Sequence, residues 1–316
     1  MKLKYKIILI LLTFINFFPL FASGEQEKKG EKIFVMVPKG VHQYFDLCFE
    51  GFKNAGETYG IRTEYAAPQR FDVTLQVKIM EELIDQNVDG IAISALEDSG
   101  LAPVIQKAID AGIIVITFDA PAPSSKAFTY IGTDNEMAGY IAGKEMIKRL
   151  GKNDDVAILQ GGLSATNLNQ RTEGFKKALA EAGKTLLTIE DTQGDFSRTI
   201  MKTEKLLDDY PTLGGIFGIA AYGAPAAATV VKARNLQDQI VIGGFDDLND
   251  TITFINDGII DFSMVQKTYK MGWLSVEKLL ELASGEEIES IYDTGVIVID
   301  SENANFYKDE LKSEFQ

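Results

Sequence analysis

This chain of 316 residues has one cysteine, one histidine and fewer basic than acidic residues. These shortages argue against disulfides, common metal sites and nucleic-acid binding. Its one cysteine, Cys48, cannot form an internal disulfide or a cysteine-based zinc site. Its one histidine, His42, excludes metal motifs built on a histidine pair and weakens any Ser-His-Asp triad. Lys and Arg number 31 against 46 Asp and Glu, a formal net charge of −15, so nothing favours a nucleic-acid partner.

Short stretches come close to catalytic or metal motifs but lack a required feature. Residues 183–185, Gly-Lys-Thr, resemble the end of a phosphate-binding loop, yet Ala178 stands where that motif needs its first glycine. Residues 162–166 end in threonine where the Gly-x-Ser-x-Gly nucleophile elbow needs glycine. Residues 246–250 are rich in side-chain oxygens without calcium-loop spacing. We therefore predict no catalytic residue, cofactor or metal, although a glycosidase-type carboxylate pair stays open.

The N-terminus has the layout of a secretory signal peptide. Three lysines within residues 1–6 precede an apolar run over residues 7–21, and small residues follow at 22–24. The apolar run has about 15 residues, fewer than the roughly 20 that a membrane-spanning helix needs. We therefore expect residues 1–24 to be a signal peptide cleaved near residues 22–24, with an uncleaved membrane tether as the alternative. The mature protein would be acidic and exported.

From residue 31 onward, β-branched runs alternate with amphipathic stretches. Residues 33–37, Ile-Phe-Val-Met-Val, predict a buried strand, and Phe45, Phe49 and Phe52 recur at helical spacing in the stretch that follows. The unit repeats along the chain, and a second series begins near residue 134. Such alternation is typical of parallel strands joined by crossover helices. We therefore predict an α/β chain of two doubly wound, Rossmann-like parallel-sheet domains.

The two series share a near-repetition. Residues 114–119 read Ile-Val-Ile-Thr-Phe-Asp, and residues 241–246 read Val-Ile-Gly-Gly-Phe-Asp. Each is an apolar strand that ends in Phe-Asp before a turn. Ligands of open α/β sheets bind beyond the carboxyl ends of the strands, so Asp119 and Asp246 could face each other across a cleft between the domains. Capping of the next turn or helix is the other interpretation of each aspartate.

A resemblance to a known family rests on six segments that follow in order along the chain. They are residues 88–94 (Val-Asp-Gly-Ile-Ala-Ile-Ser), 116–119 (Ile-Thr-Phe-Asp), 131–135 (Ile-Gly-Thr-Asp-Asn), 171–175 (Arg-Thr-Glu-Gly-Phe), 244–246 (Gly-Phe-Asp) and 257–258 (Asp-Gly). In order and spacing they resemble the periplasmic sugar-binding proteins of the ribose- and galactose-binding type, the solute receptors of ABC importers. The resemblance covers about residues 31–300.

The resemblance implies the type I periplasmic binding protein fold. An N-terminal lobe of residues 31–133 plus 267–294 and a C-terminal lobe of residues 134–266 plus 295–316 would be joined by a three-segment hinge. Such a protein is a non-catalytic monomer that closes on a sugar or similar polyhydroxylated molecule and is read by an importer permease. A sensor that presents its ligand to a membrane kinase or chemoreceptor is an alternative. An exported carbohydrate-active enzyme is a less favoured one.

The resemblance also implies which residues contact the ligand. The positions that match the family's ligand contacts are His42, Tyr44, Phe45, Asp119, Arg171, Phe196, Asp246 and Gln266. Aromatic rings would stack on the C–H faces of a sugar, while charged and amide groups would exchange hydrogen bonds with its hydroxyls.

Two departures from the ribose-binding pattern remove polar contacts. Ala120 stands where those members have arginine, and residues 220–221 are Ala-Ala where they have Asn-Asp. The resemblance therefore implies that a ligand is not held as ribose is held in those members. We expect Tyr222, Asn167 or Asn169 to compensate, because they lie close to the matched positions.

Overall fold

The computed structural model describes residues 31–151, 155–307 and 311. The predicted signal peptide, residues 1–24, lies outside this part of the chain. Within the described ranges, no helix is both long enough and apolar enough to cross a bilayer.

Strands and helices alternate along the described chain. The strands are β1 (Ile33–Val37), β2 (Arg62–Tyr65), β3 (Gly90–Ile93), β4 (Ile114–Phe118), β5 (Tyr130–Gly132), β6 (Asp155–Gln160), β7 (Leu186–Asp191), β8 (Leu213–Gly218), β9 (Val241–Phe245), β10 (Phe262–Gln266), β11 (Ile291–Asp293) and β12 (Val296–Ile299). The helices are α1 (Tyr44–Tyr59), α2 (Val73–Asp85), α3 (Asp98–Asp110), α4 (Asn135–Arg149), α5 (Thr166–Glu181), α6 (Phe196–Asp209), α7 (Gly223–Ala233), α8 (Asn249–Asn256) and α9 (Thr268–Ala283).

The strands form two sheets with the same internal order. The first sheet reads β2-β1-β3-β4-β5-β11, and the second reads β7-β6-β8-β9-β10-β12. Neighbouring strands are parallel, apart from β12, which runs antiparallel to β10. The strands β4 and β9, each of which ends at the phenylalanine of the repeated Phe-Asp, occupy equivalent places. The predicted pair of doubly wound parallel-sheet lobes is confirmed.

Each sheet is covered by helices on both faces because its strands are apolar on both faces. In the first lobe, Val35 and Ile91 pack with α2 and α3 on one face, while Phe34 and Phe118 pack with α1 and α9 on the other. The second sheet is likewise packed between α4 and α5 on one face and α6, α7 and α8 on the other. Burial on both faces explains why the strands appear in the sequence as nearly continuous hydrophobic runs.

The chain passes between the two sheets at three places. The crossings lie between β5 and α4, between β10 and α9, and between β11 and β12. Helix α4 packs on α5 in the second lobe, while α9 packs on α1 in the first. Three adjacent connections of this kind form the hinge between the lobes.

Two helix pairs beside these crossings approach to backbone contact. A Cβ atom on Gly51 or Gly272 would collide with a carbonyl oxygen across the α1–α9 crossing. A Cβ atom on Gly139 or Gly174 would do the same across the α4–α5 crossing. Glycine is required at these four positions for space. The crossings fix α1 and α5, which carry predicted ligand contacts, against the helices that follow the hinge segments.

Candidate functional site

A cavity of about 670 Å³ lies beyond the carboxyl ends of strands from both sheets. Loops after β1, β3 and β4 line it from the first lobe, and loops after β6, β8 and β9 line it from the second. Open α/β sheets bind ligands at such loops. Its lining includes nine of the eleven residues predicted from the sequence: His42, Tyr44, Phe45, Asp119, Asn167, Arg171, Tyr222, Asp246 and Gln266.

Asp119 is a buried carboxylate that follows β4. Its Oδ1 accepts a hydrogen bond from the Tyr44 hydroxyl at 2.9 Å, and its Oδ2 accepts one from the Ser94 hydroxyl at 2.5 Å. The Lys39 ammonium lies 3.2 Å from the same Oδ2. Burial by itself raises the pKa of this carboxyl, but the nearby cations and hydrogen-bond donors outweigh burial and hold the pKa below its ordinary value. Asp119 is therefore ionised at neutral pH.

Asp246 occupies the equivalent position in the second lobe, in a less favourable environment for charge. Its Oδ1 accepts a hydrogen bond from the Gln266 amide at 2.8 Å, and the Gln266 oxygen accepts one from the Thr133 hydroxyl at 2.9 Å. Burial raises the pKa of Asp246 to about 6, although Arg171 and Gln266 oppose the rise. The two aspartates therefore differ: one is firmly ionised, and the other titrates close to neutrality.

Both aspartates have left-handed backbone conformations. Their φ angles are +56° for Asp119 and +67° for Asp246. Residues other than glycine adopt this region infrequently, Asp being one of the more tolerant. The matching geometry at the ends of β4 and β9 turns both carboxylates into the shared cavity, and conformations of this kind concentrate at binding sites.

Arg171 is a buried guanidinium with one unused donor nitrogen. Its Nε donates to the Asn135 side-chain oxygen at 2.9 Å, its Nη1 donates to the Ile219 carbonyl at 3.3 Å, and its Cζ lies 3.7 Å from the centre of the Phe245 ring. Its Nη2 is buried without a hydrogen-bond partner among the described residues. The side-chain oxygen of Asn167, one turn earlier on α5, is in the same state. Buried polar atoms are usually paired, and both of these belong to residues that line the cavity.

The hinge and the charged groups form one hydrogen-bond network. The Tyr130 hydroxyl lies 3.0 Å from the carbonyl oxygens of both Asp119 and Thr133. Asn135, the first residue of α4, donates to the Thr133 carbonyl at 3.0 Å and accepts from Arg171. Charged residues of the two lobes are thereby connected through the first crossing segment.

Aromatic rings from both lobes line the same cavity. The rings of His42, from the first lobe, and Tyr222, from the second, meet edge to face with centres 5.4 Å apart. The Tyr44 and Phe45 rings meet edge to face at 5.0 Å. Burial lowers the pKa of His42, and its Nδ1 accepts a hydrogen bond from the Tyr44 N–H, so the imidazole is neutral with its proton on Nε2.

Two predicted residues do not line the cavity. The Asn169 amide donates to the Leu163 carbonyl at 2.9 Å, and its oxygen accepts from Gln160 at 3.0 Å, so it holds the loop after β6. The Phe196 ring packs edge to face on Tyr222 with centres 6.2 Å apart, which supports a lining ring from behind.

Other residues of the site carry little signal in the sequence. Lys39 forms an ion pair with Asp119. From the sequence alone, a lysine that follows a strand would be expected to lie in solvent. Gln76 is fully buried on α2 and donates to the carbonyls of Pro38 and Ser94 at 3.1 and 2.7 Å, which ties together the loops after β1 and β3. A polar residue on the buried face of an amphipathic helix is the only sequence sign of that role.

No group of three or more His, Cys, Asp or Glu side chains that could hold a metal ion occurs within the described ranges. The cavity instead combines carboxylate acceptors, guanidinium and amide donors, and aromatic rings. The polar groups can hydrogen-bond to the hydroxyls of a polyhydroxylated molecule, and the aromatic rings can contact its apolar faces.

Comparisons with known proteins agree with this geometry. Residues 33–287 match the family model of the periplasmic binding protein domain. A D-ribose/D-allose-binding protein from Pseudomonas aeruginosa is 25% identical over 297 residues, which cover 91% of this chain and 93% of the relative. An ABC transporter solute-binding protein from Burkholderia graminis, solved with D-arabinose, is 37% identical with a TM-score of 0.83, and the match covers 87% of this chain and 97% of that one.

A further solved structure, the XylFII–LytSN complex, contains a chain that is 27% identical with a TM-score of 0.80; the match covers 86% of this chain and 99% of that one. Together with the family match, these structures confirm the type I periplasmic binding protein fold.

Proposed function

Because the chain belongs to the periplasmic binding protein domain family, whose members include sugar-binding proteins of ABC importers, we propose that it holds a sugar between its two lobes for import. The observation that carries this proposal is the unpaired Nη2 of buried Arg171 in a cavity shared with two buried carboxylates. A sugar hydroxyl can accept from that nitrogen while it donates to Asp119 or Asp246. Hydrogen bonds to charged groups contribute roughly 1.5–3 kcal/mol each.

The lobes contribute different parts of this arrangement. Asp119 and Lys39 follow strands of the first sheet, whereas Arg171, Asn167 and Asp246 belong to the second. A ligand that bonds to both sets has more contacts when the lobes are together than when they are apart. Its differential affinity then shifts a hinge equilibrium toward the closed form. An importer permease would recognise that closed form.

The proposal includes the lobe limits, the ligand contacts and the export route. The lobes comprise residues 31–133 plus 267–294 and residues 134–266 plus 295–316. The nine cavity-lining residues predicted from the sequence contact the ligand, while Asn169 and Phe196 support the site from outside. The signal peptide of residues 1–24 directs the chain out of the cytoplasm, and the mature protein binds its ligand without turning it over.

A sensor role is the second candidate. The XylFII chain, which shares this fold, is found in complex with another protein, LytSN. By analogy, this chain could present its closed form to a membrane sensor rather than to a permease. Deletion of the gene separates the two roles: loss of ligand uptake supports import, whereas normal uptake with loss of a ligand-induced transcriptional response supports sensing.

A thermal-shift panel of monosaccharides tests sugar binding. D-ribose, D-allose, D-arabinose, D-xylose and D-galactose would each be added to the purified protein, and hits measured by calorimetry. At a ligand concentration of about 100 Kd, binding stabilises the folded state by about 2.7 kcal/mol.

Asp119→Asn should weaken binding of the sugar identified in the panel. Asp261→Asn should not, because Asp261 accepts a hydrogen bond from the Ile242 backbone N–H outside the cavity. Hydrolysis or oxidation of the bound sugar would overturn the non-catalytic proposal.

A further inference from the structure

The cavity is larger than one monosaccharide. A monosaccharide has about ten to twelve heavy atoms. If each heavy atom took up ~30 Å³, the volume of one molecule of liquid water, the sugar would fill at most about 360 Å³. The cavity measures about 670 Å³. Residues 220–221, Ala-Ala, contribute to this space because their side chains are small where they line the wall. Roughly half of the volume is left after a single ring is placed.

The lining divides by depth into two parts. Asp119, Asn167, Arg171, Asp246 and Gln266 are all less than 9% exposed and form the inner part. The outer part includes two large apolar residues that are exposed: Phe71 is 53% exposed and Leu163 is 63% exposed. The inner part holds the charged groups that can bind one sugar ring, and the outer part offers space and apolar surface for a second.

Phe71 is a fixed aromatic surface in the outer part. A Cβ atom on Gly40 would collide with the Phe71 ring, which shows that the ring rests directly on the backbone there. The His42 ring lies 6.0 Å from it, and the Val41 N–H donates to the Pro68 carbonyl at 3.0 Å, which ties the two loops together. A ring that is held on one side and half exposed on the other presents an apolar surface that a sugar ring can cover.

The wall from the second lobe offers polar backbone and carboxylate groups. Gly161 and Gly162 of the loop after β6, and Gly194 of the loop after β7, line the outer part without side chains. A Cβ atom on Gly194 would lie 3.4 Å from the Gly161 carbonyl, so the two loops pack backbone to backbone. Asp191 lines the same wall and adds carboxylate oxygens that can accept from hydroxyls.

We infer that the preferred ligand is a disaccharide, with one ring among the inner charged residues and the second ring against Phe71. This inference rests on the proposed function, since it assigns the inner ring to the same site. The outer ring gains by covering exposed aromatic surface, and it needs no charged partner. A monosaccharide would occupy the inner part alone and forgo that contact.

Calorimetric titration with matched sugars tests the inference. The probes are lactose, maltose, cellobiose and xylobiose, each compared with D-galactose, D-glucose and D-xylose, with D-ribose and D-arabinose added. At least one disaccharide should bind about tenfold more tightly than its constituent monosaccharides, which is the size of effect expected for an aromatic contact. Phe71→Ala should remove that difference and leave monosaccharide affinity within about twofold. Leu163→Ala should also weaken disaccharide binding selectively.

The control variant is Phe128→Ala, since Phe128 is 46% exposed but does not line the cavity. It should change neither affinity. Binding of monosaccharides with equal or weaker binding of every disaccharide overturns the inference and leaves the proposed function standing. Equal losses for both sugar classes in Phe71→Ala overturn the outer-ring contact. Absence of binding by every sugar overturns the proposed function together with the inference.

Discussion

The Thr133 hydroxyl donates to the side-chain oxygen of Gln266 across 2.9 Å, and this bond joins two of the segments that cross between the lobes. Thr133 follows β5, and Gln266 ends β10. The Gln266 amide then donates to Asp246. The orientation of a carboxylate in the cavity is therefore set by a contact between two of the segments that join the lobes. Under the proposed function, this contact couples ligand binding to the relative position of the lobes.

Thr133→Val should weaken sugar binding by about tenfold, because it leaves the buried oxygen of Gln266 without its donor and frees the amide that orients Asp246. Calorimetry on the tightest-binding sugar measures the effect. Thr129→Val is the matched control: its hydroxyl is buried without a partner, so its removal should cost neither stability nor affinity. Equal affinities of wild type and Thr133→Val would contradict the coupling.

Asn167→Leu should separate stability from binding. The side-chain oxygen of Asn167 is buried without a partner, so an apolar side chain of similar size should leave the ligand-free protein as stable as wild type or more stable. Sugar affinity should nevertheless fall by about tenfold, since a ligand hydrogen bond is lost. Urea unfolding and calorimetry measure the two quantities. Unchanged affinity would remove Asn167 from the ligand contacts.

Asp246→Asn should change how stability depends on pH. The pKa of Asp246 in the folded protein, about 6, lies above its ordinary value of 3.8. The protonated carboxyl therefore favours folding, and its contribution is fully present below about pH 4 and lost as pH rises through about 6. The ligand-free variant should be more stable than wild type at pH 8 and no different at pH 4.

Thermal unfolding across this pH range is the measurement, with Asp238→Asn, an exposed carboxyl, as control. Sugar affinity of the wild type should fall as pH drops below about 6, because protonation removes a hydrogen-bond acceptor that the ligand hydroxyl uses. A stability difference between Asp246→Asn and wild type that is the same at pH 4 and pH 8 would show that Asp246 titrates normally.

Gly174→Ala should destabilise the second lobe. A Cβ atom there would collide with the Glu136 carbonyl across the α4–α5 crossing, and relief requires the helices to move apart. Overpacking of this kind costs about 1–3 kcal/mol. Urea unfolding measures it, with the exposed Gln170→Ala on the same helix expected within about 0.5 kcal/mol of wild type. A neutral Gly174→Ala would mean that the crossing is looser than the glycines indicate.

The strand–helix order and the two aspartates could be predicted from the sequence because both rest on local pattern. Strands buried on both faces give continuous apolar runs, and the repeated Phe-Asp marks equivalent strand ends. The short strands β5 and β11, of three residues each, are too short to show any period. Their pairing with each other depends on long-range contacts that the local sequence does not encode.

The assignment of Asn169 shows where sequence pattern stops being sufficient. The sequence pattern over residues 170–182 predicts a helix that begins after both Asn167 and Asn169, so it does not distinguish the two. Helix α5 begins at Thr166 instead, and its N-cap, Ala165, makes no side-chain cap that could have marked the start. Within a helix, Asn167 and Arg171 are four residues apart and share a face, while Asn169 points elsewhere. The sequence does not single out Lys39, because its ion-pair partner, Asp119, is distant along the chain.

The proposed function requires a ligand that touches both lobes at once. A crystal structure of the protein with its tightest-binding sugar tests this most directly. We predict a sugar ring in the cavity with hydroxyls within hydrogen-bond distance of Asp119, Arg171 and Asp246. A sugar bound to the residues of one lobe alone, or bound outside the cavity, would contradict the account.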